Sequence, residues 1–369
     1  MPVIFAFFVF FTLVLLIFYS FFFQKFLRYK PEAPEKNDLP VSVIICAKDE
    51  SENLKRNLPL IYTQNYPNFE VVLIDDRSID DTFDIMQTFK EQYPAKTKLV
   101  KVNFNDDNRL RGNKKYALTL GIKAASYNHL LFTDADCRPV SSNWIDNMSR
   151  HFSQKALILG YGPYAKRSGF LNKLIRYETV QTALQYFSYA LKTIPYMGVG
   201  RNLAYTKDLF MNNNGFYSHL DVLSGDDDLF VNEVATPQNT AICLSPESFM
   251  YSSPKKTWKE FVRQKRRHIS TAKHYKKLHQ FLLGLYFLSL TGFWLTGIFL
   301  LSTLYLWPWV ISLMLFRTGI AWYINVKVNE KLHENDLSIW YPFLEIGLLS
   351  FQLLIFVLNL FKKPAHWTR

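Results

Sequence analysis

The sequence predicts an α/β domain built on a mostly parallel sheet with flanking helices, anchored by transmembrane α-helices at both ends of the chain. Two observations carry this. Between residues 41 and 134, short apolar runs alternate with helical stretches, the pattern of strands covered on both faces. Charge is also segregated: residues 3–23 carry none, and 281–326 and 339–361 are nearly all apolar, long enough to cross a bilayer.

The elements follow in order. Residues 1–24 form an N-terminal transmembrane helix. No Lys or Arg precedes its apolar run and no small-residue cleavage motif follows it, unlike a signal peptide. Lys25, Arg28, Lys30 and Lys36 come after it, which puts that side in the cytoplasm. Residues 25–40 are a linker ending in the Pro-rich PEAPEKNDLP. A domain at 41–256 opens with strands VSVIIC (41–46), FEVVLID (69–75), KLVKVNF (98–104) and HLLFTD (129–134), and helices at 51–62, 80–93 and 114–125. Ligands of such sheets bind at the carboxyl ends of the strands. A basic amphipathic interface helix is expected at 257–280. Residues 281–361 then hold about three transmembrane helices, the first two parted at Trp307-Pro308-Trp309 and followed by a polar loop, before the tail 362–369. Arg317 and Glu345 lie inside spans, where charge is costly. Three spans would also leave Lys362, Lys363 and Arg369 outside. One segment, the one carrying Arg317, is therefore expected to be re-entrant or interfacial.

Composition narrows the function. Lys and Arg number 43 against 31 Asp and Glu, a net charge of +12 that suits anionic partners. An aromatic content of 17% excludes a disordered chain. Three distant cysteines, Cys46, Cys137 and Cys243, make neither a disulfide framework nor a metal knuckle, and fit a reducing compartment.

Five blocks carry chemistry. In VVLIDDRSIDDT (71–82), Asp75 and Asp76 end an apolar strand, where they either bind base or ribose of a nucleotide or cap the next helix. In TDADC (133–137), Asp134 and Asp136 share a face of an extended segment, where two oxygens reach one Mg²⁺ or Mn²⁺ together with a diphosphate. In LSGDDDLF (223–230), three adjacent acids repel one another, so that one can act as a general base; the same acids also suit a helix N-terminus. In TWKEFVRQKRRHISTAKHYKK (257–277), the spacing sets Gln264, Arg267 and His268 on one face, able to grip a diphosphate or an acceptor, while the basic face suits anionic lipid. In RGNKKYALTLGI (111–122), Lys114 and Lys115 open a helix where backbone N–H groups favour anions.

These blocks, in this order over residues 40–275, resemble the family-2 glycosyltransferases of GT-A fold, with a Rossmann-like sheet. The resemblance implies transfer of a sugar from a nucleotide diphosphate sugar, usually with inversion. It places Ala47, Glu50, Asp75, Asp76, Lys114 and Asp134 at the nucleotide sugar, and Asp134 and Asp136 at the metal. Gln264, Arg267 and His268 fall at the diphosphate or acceptor. Asn113 stands where the family usually has glycine, and His268 replaces the Trp of its QxxRW motif. The acidic base motif aligns on Asp226 by its Asp-Leu end and on Asp227 by its Gly-Asp-Asp start, so both remain candidate catalytic residues.

The expected function is an integral-membrane, inverting, metal-dependent hexosyltransferase. It would move a sugar, from a UDP-sugar by expectation, to a lipid-linked or glycan acceptor on the cytoplasmic face of the cell (inner) membrane. A divalent cation, Mg²⁺ or Mn²⁺, is the expected cofactor, serving as Lewis acid for the leaving diphosphate. A processive polysaccharide synthase subunit and a nucleotidyltransferase are the alternatives, ahead of a catalytically dead anchored module. Nucleic acid is not an expected partner, because the basic stretch adjoins an apolar span.

Overall fold

A computed structural model describes residues 1–31, 34–103, 114–222 and 224–361 of the chain. Phe104, Arg111, Gly112, Asn113, Leu223 and the tail cations Lys362, Lys363 and Arg369, all used in the sequence reading, lie outside the described residues. The chain forms two compact units. One comprises residues 31–165 and 193–274; the other comprises 1–30, 166–192 and 275–363.

The first unit is a sheet domain. Its strands are β1 (Val41–Ala47), β2 (Phe69–Asp75), β3 (Thr97–Lys101), β4 (His129–Asp134), β5 (Cys137–Pro139), β6 (Leu157–Leu159), β7 (Leu203–Thr206), β8 (Thr240–Ile242) and β9 (Met250–Ser252). Seven of them make one sheet in the order β3-β2-β1-β4-β7-β6-β8, and β5 pairs with β9 in a small second sheet. In the large sheet β7 runs antiparallel to both neighbours, β4 and β6, and the other pairs among the described residues are parallel.

Continuous apolar runs make the central strands because both faces are covered. On one face Leu54, Leu58 and Ile61 of the Ser51–Tyr62 helix join the cluster of Val43, Ile45, Val71 and Leu73. The Lys114–Ala124 helix covers the other face so closely that a Cβ on Gly121 would sit 2.1 Å from Ile74 Cδ1. Glycine is required there for helix-to-sheet contact rather than for its torsion angles. The parallel register aligns Ala47 with Asp75 and Cys46 with Asp134, so three strand ends, each with polar chemistry, open on one edge.

The basic stretch belongs to this unit and is shorter than expected. Its helix runs Trp258–Ile269, opened by a capping box in which Thr257 Oγ1 accepts from Glu260 N and Glu260 Oε2 accepts from Thr257 N, both at 3.2 Å. A short 3₁₀ turn follows at Ala272–His274, and a new helix begins at Lys277 rather than after residue 280.

The second unit is a set of long helices. Among the described residues, four helices are long and apolar enough to cross a membrane: Pro2–Arg28, Lys277–Ser302, Trp307–Lys331 and Asn335–Asn359. The break between the middle two precedes Trp307. Leu304 and Leu306 take positive φ in the turn, and Trp307-Pro308 opens the next helix, where proline's missing N–H costs nothing. The Arg317 segment is a continuous 25-residue helix, not a re-entrant one. Its charge is met inside the unit: Arg317 Nη1 lies 2.6 Å from Glu345 Oε2, and its Nη2 donates to the Tyr19 hydroxyl. Glu345 also accepts from Trp294 Nε1 at 3.2 Å and from the Tyr341 hydroxyl at 2.5 Å. Thus each of the four candidate spans contributes to one buried polar cluster.

The Phe170–Leu191 helix, expected within the sheet domain at 41–256, groups with these helices. Arg176 on it is buried against Glu334 and Asp336, with Asp336 Oδ1 at 2.6 Å. Lys331 donates to the carbonyls of Phe26, Leu27 and Tyr29 at 2.6–2.7 Å, placing a cation on the C-terminal end of the first helix.

Candidate active site

The loops after β1 and β2 are stitched together at the carboxyl edge of the sheet. Asp49 N donates to Ser78 Oγ at 3.0 Å, Ile79 N to Asp49 Oδ1 at 2.9 Å, and Glu50 N to Thr82 Oγ1 at 2.8 Å. Ala47 accepts from Asp76 N through its carbonyl, at 2.8 Å. Glu50 stands just before the Ser51–Tyr62 helix, its carboxylate accepting from Asn53 Nδ2 at 2.5 Å.

Asp75 and Asp76 are both buried. Asp75 Oδ1 accepts from Ser78 N at 3.2 Å, and burial raises its carboxyl above the ordinary range. Asp76 Oδ1 accepts from Arg77 Nε at 3.0 Å and Nη2 at 2.7 Å, Arg77 folding back through a φ of 59°. The second carboxylate oxygen of each acid is buried without a hydrogen-bond partner. Such pairs of unmet acceptors are costly unless a ligand's donors meet them.

At the end of β4, ligand atoms of Asp134, Asp136 and Cys137 lie within 4.8 Å of one another. Burial raises the Asp136 carboxyl, with Asp134 adding to the effect. Asp136 accepts from Ser252 Oγ at 3.3 Å, which ties it to the small sheet. Burial also pushes the Cys137 thiol up, which keeps it neutral and leaves the carboxylates as the hard ligands. Two carboxylates this close fit an oxygen-seeking divalent cation.

Lys114 joins two of the acidic blocks. Its Nζ lies 2.8 Å from Asp134 Oδ1 and 2.9 Å from Asp226 Oδ2. Burial opposes its charge, but the two carboxylates raise its pKa well above the ordinary value. Burial likewise opposes ionisation of Asp226, and Lys114 more than offsets it, holding Asp226 below the ordinary carboxyl range. Lys114, Asp134, Asp226, Cys46, Thr133 and Gly200 line one small cleft. Cys46 sits between the acidic blocks, its thiol raised by burial and then by Asp76.

Asp227 faces backbone instead. Its Oδ2 accepts from Gly200 N and its Oδ1 from Asp228 N, both at 2.7 Å, the latter at the start of the Asp228–Val234 helix. Burial, then Asp226 and Asp228, push its carboxyl up to about 7. Asp228 accepts from Thr271 Oγ1 at 2.5 Å.

On the basic helix, Gln264 Nε2 donates to the Tyr164 hydroxyl at 3.2 Å, while Gln264 Oε1 and Arg267 Nε are buried without partners. His268 is held well below its ordinary pKa by burial and by Lys265 and Arg267, so the ring is neutral. The structure therefore brings Lys114, Asp134 and Asp226 into direct contact, with Asp136 beside them. Asp75 and Asp76 sit at the neighbouring strand end. No local pattern marks Tyr164, Gly200 or Arg201. Lys115 is buried and donates to the carbonyls of His219 and Val222 at 2.7 and 2.6 Å. Lys115, expected beside Lys114 at an anion-favouring helix start, instead gives its ammonium group to those carbonyls.

Curated relatives match parts of this chain. The poly-beta-1,6-N-acetyl-D-glucosamine synthase of Staphylococcus epidermidis is 34% identical over 96 residues, 26% of this chain and 21% of that protein. The Staphylococcus aureus synthase of the same name is 27% identical over 170 residues, 44% of this chain and 38% of its own length. Glycosyltransferase AglE of Haloferax volcanii is 32% identical over 108 residues, 29% of this chain and 33% of that protein. Each match thus spans well under half of the relative. Among solved structures, the mannosyltransferase PcManGT of Pyrobaculum calidifontis, in complex with GDP-Man and Mn²⁺, superposes with a TM-score of 0.62 at 19% identity. That match covers 92% of this chain and 96% of the other, and it shows a shared GT-A-like fold. A family model matches residues 8–368, taking in both the acidic strand ends and the long apolar helices: the chain belongs to glycosyl transferase family 21.

Proposed function

We propose that this protein is a membrane-bound, metal-dependent, inverting hexosyltransferase that uses a nucleoside diphosphate sugar and a lipid-linked or membrane acceptor. The observation that carries the reading is Lys114 bridging Asp134 and Asp226, which joins a candidate metal and diphosphate strand end to a candidate base. The four apolar helices support an enzyme of the cell membrane. The positive charge after the first helix supports a cytoplasmic sheet domain.

In this reading Asp75 and Asp76 accept from base and ribose through their unmet oxygens. Asp134 and Asp136 would hold one Mg²⁺ or Mn²⁺, which supplies Lewis-acid stabilisation of the leaving diphosphate. The GDP-Man and Mn²⁺ bound in the mannosyltransferase PcManGT support that cofactor and donor class. Lys114, Gln264 and Arg267 add donors for diphosphate oxygens. Asp226 is the proton acceptor for the acceptor hydroxyl. Its carboxylate lines the cleft with Lys114 and Asp134, whereas Asp227 spends both oxygens on backbone N–H groups. Asp227 has the pKa nearer neutrality, but geometry ranks before pKa in choosing a base. We assign Asp227 to holding the acidic turn.

A panel of UDP- and GDP-sugars, incubated with the purified protein, membrane lipid extract and Mn²⁺ or Mg²⁺, tests the reading. Cation-dependent release of nucleoside diphosphate with a labelled lipid product is expected. A folded protein that turns over no nucleotide sugar sinks it. The partial identity to the poly-beta-1,6-N-acetyl-D-glucosamine synthases favours a second reading, polymer synthesis from UDP-GlcNAc. Product length separates the two: one added sugar for the first, a ladder for the second.

A further inference from the structure

We infer that Arg201 is a binding residue for the donor diphosphate, a role that rests on the glycosyltransferase reading above. The arm is built into the sheet domain. It leaves a 3₁₀ turn, Gly200–Asn202, whose first N–H holds Asp227. Its guanidinium carbon lies 4.3 Å from the centroid of the Tyr164 ring, whose hydroxyl accepts from Gln264. A Cβ at position 162 would meet Arg201 Cγ and Nε at 2.6 Å, so Gly162 leaves the space that the arm fills. Stacking and confinement together fix the guanidinium plane.

What this fixed cation lacks is a counter-ion. Arg201 Nε is shut off from solvent with no hydrogen-bond partner, and among the described residues Arg201 forms no ion pair. A buried guanidinium N–H left without an acceptor is costly. Asp134 and Asp136 influence Arg201 electrostatically without pairing with it, and they are the two acids that a divalent cation would neutralise. Arg267 Nε, a donor on the helix that reaches Tyr164 through Gln264, is likewise buried and unmet. A diphosphate bridging the metal pair and this stack would supply the missing anion, and a guanidinium fork suits its oxygens.

The test is calorimetric titration of the full-length protein in detergent with Mn²⁺, using UDP and GDP and, as controls, uridine and guanosine. In Arg201→Met, affinity for the preferred nucleoside diphosphate is expected to fall roughly ten- to hundred-fold. Affinity for its nucleoside should stay unchanged, and Arg201→Lys should recover part of the loss. Unchanged diphosphate affinity in Arg201→Met overturns the inference. So does an equal loss of nucleoside affinity in both variants, which marks Arg201 as a packing element. A wild-type protein that binds neither UDP nor GDP instead overturns the donor reading beneath it.

Discussion

Lys114 Nζ lies 2.9 Å from Asp226 Oδ2, so the start of one helix is pinned to an acidic turn far along the chain. The same ammonium group holds Asp134. Replacing it with methionine leaves two carboxylates at one cleft without their counter-charge. Lys114→Met is expected to lower transfer at least about a hundred-fold, the scale of losing one preorganised charge at a reacting group. Steady-state kinetics check this, and a variant with wild-type kcat/KM would remove Lys114 from the machinery.

Asp136 is half-buried, and among the described residues its hydrogen-bond partners are Cys137 and Ser252. Asp136→Asn should abolish tight Mn²⁺ binding, measured by electron paramagnetic resonance, while the melting temperature stays close to that of the wild type. Asp84→Asn, at an exposed position of the Thr82–Gln92 helix, should bind Mn²⁺ normally. Equal Mn²⁺ affinity in Asp136→Asn and the wild type would move the metal elsewhere.

Much of this site is legible in the sequence because its acids end long strands. β1, β2 and β4 are apolar runs of six or seven residues, so Asp75 and Asp134 announce themselves at strand ends. The strands β5, β6, β8 and β9 have three residues each, too few for any period to emerge. The Phe170–Leu191 helix buries Asn172, Arg176, Thr179 and Ser188 among its apolar residues, and so does not read as part of an apolar bundle. Arg201 and Lys115 owe their places to long-range contacts with Tyr164 and the His219–Val222 carbonyls, which no local spacing encodes.

Arg317 and Glu345 should behave as a unit. Removing one leaves the other buried and unpaired, which costs about 3–5 kcal/mol, whereas replacing both with apolar residues is often near neutral. Arg317→Met and Glu345→Leu should each lower the thermal midpoint in detergent, and the double variant should recover most of the loss. Additive losses would show that the pair is not coupled.

The orientation is testable at Ala95, an exposed residue in the turn before β3. In whole cells, a membrane-impermeant maleimide should miss Ala95→Cys until the membrane is permeabilised. Labelling of intact cells would reverse the orientation and remove the access to cytoplasmic nucleotide sugars.

The two neighbouring acids should separate by two different readouts. If Asp226 takes the acceptor proton, Asp226→Asn keeps near-normal nucleotide affinity and loses transfer by about 10²–10⁴-fold, the usual worth of a general base. Asp227→Asn should lose less, since its oxygens serve Gly200 N and Asp228 N. Its signature lies in stability. The Asp227 carboxyl rises from 3.8 to about 7 on folding because burial, then Asp226 and Asp228, disfavour its charge. Between those values the folded protein holds a proton that the unfolded chain has released, so wild-type stability falls as pH rises through that window. Asparagine cannot ionise and escapes that fall; the N–H bond it gives up is a constant offset. The melting temperature of Asp227→Asn relative to the wild type should therefore climb from pH 4 to pH 7 and level off above. A flat difference would mean that Asp227 ionises normally, and a larger transfer loss in Asp227→Asn than in Asp226→Asn would make Asp227 the base.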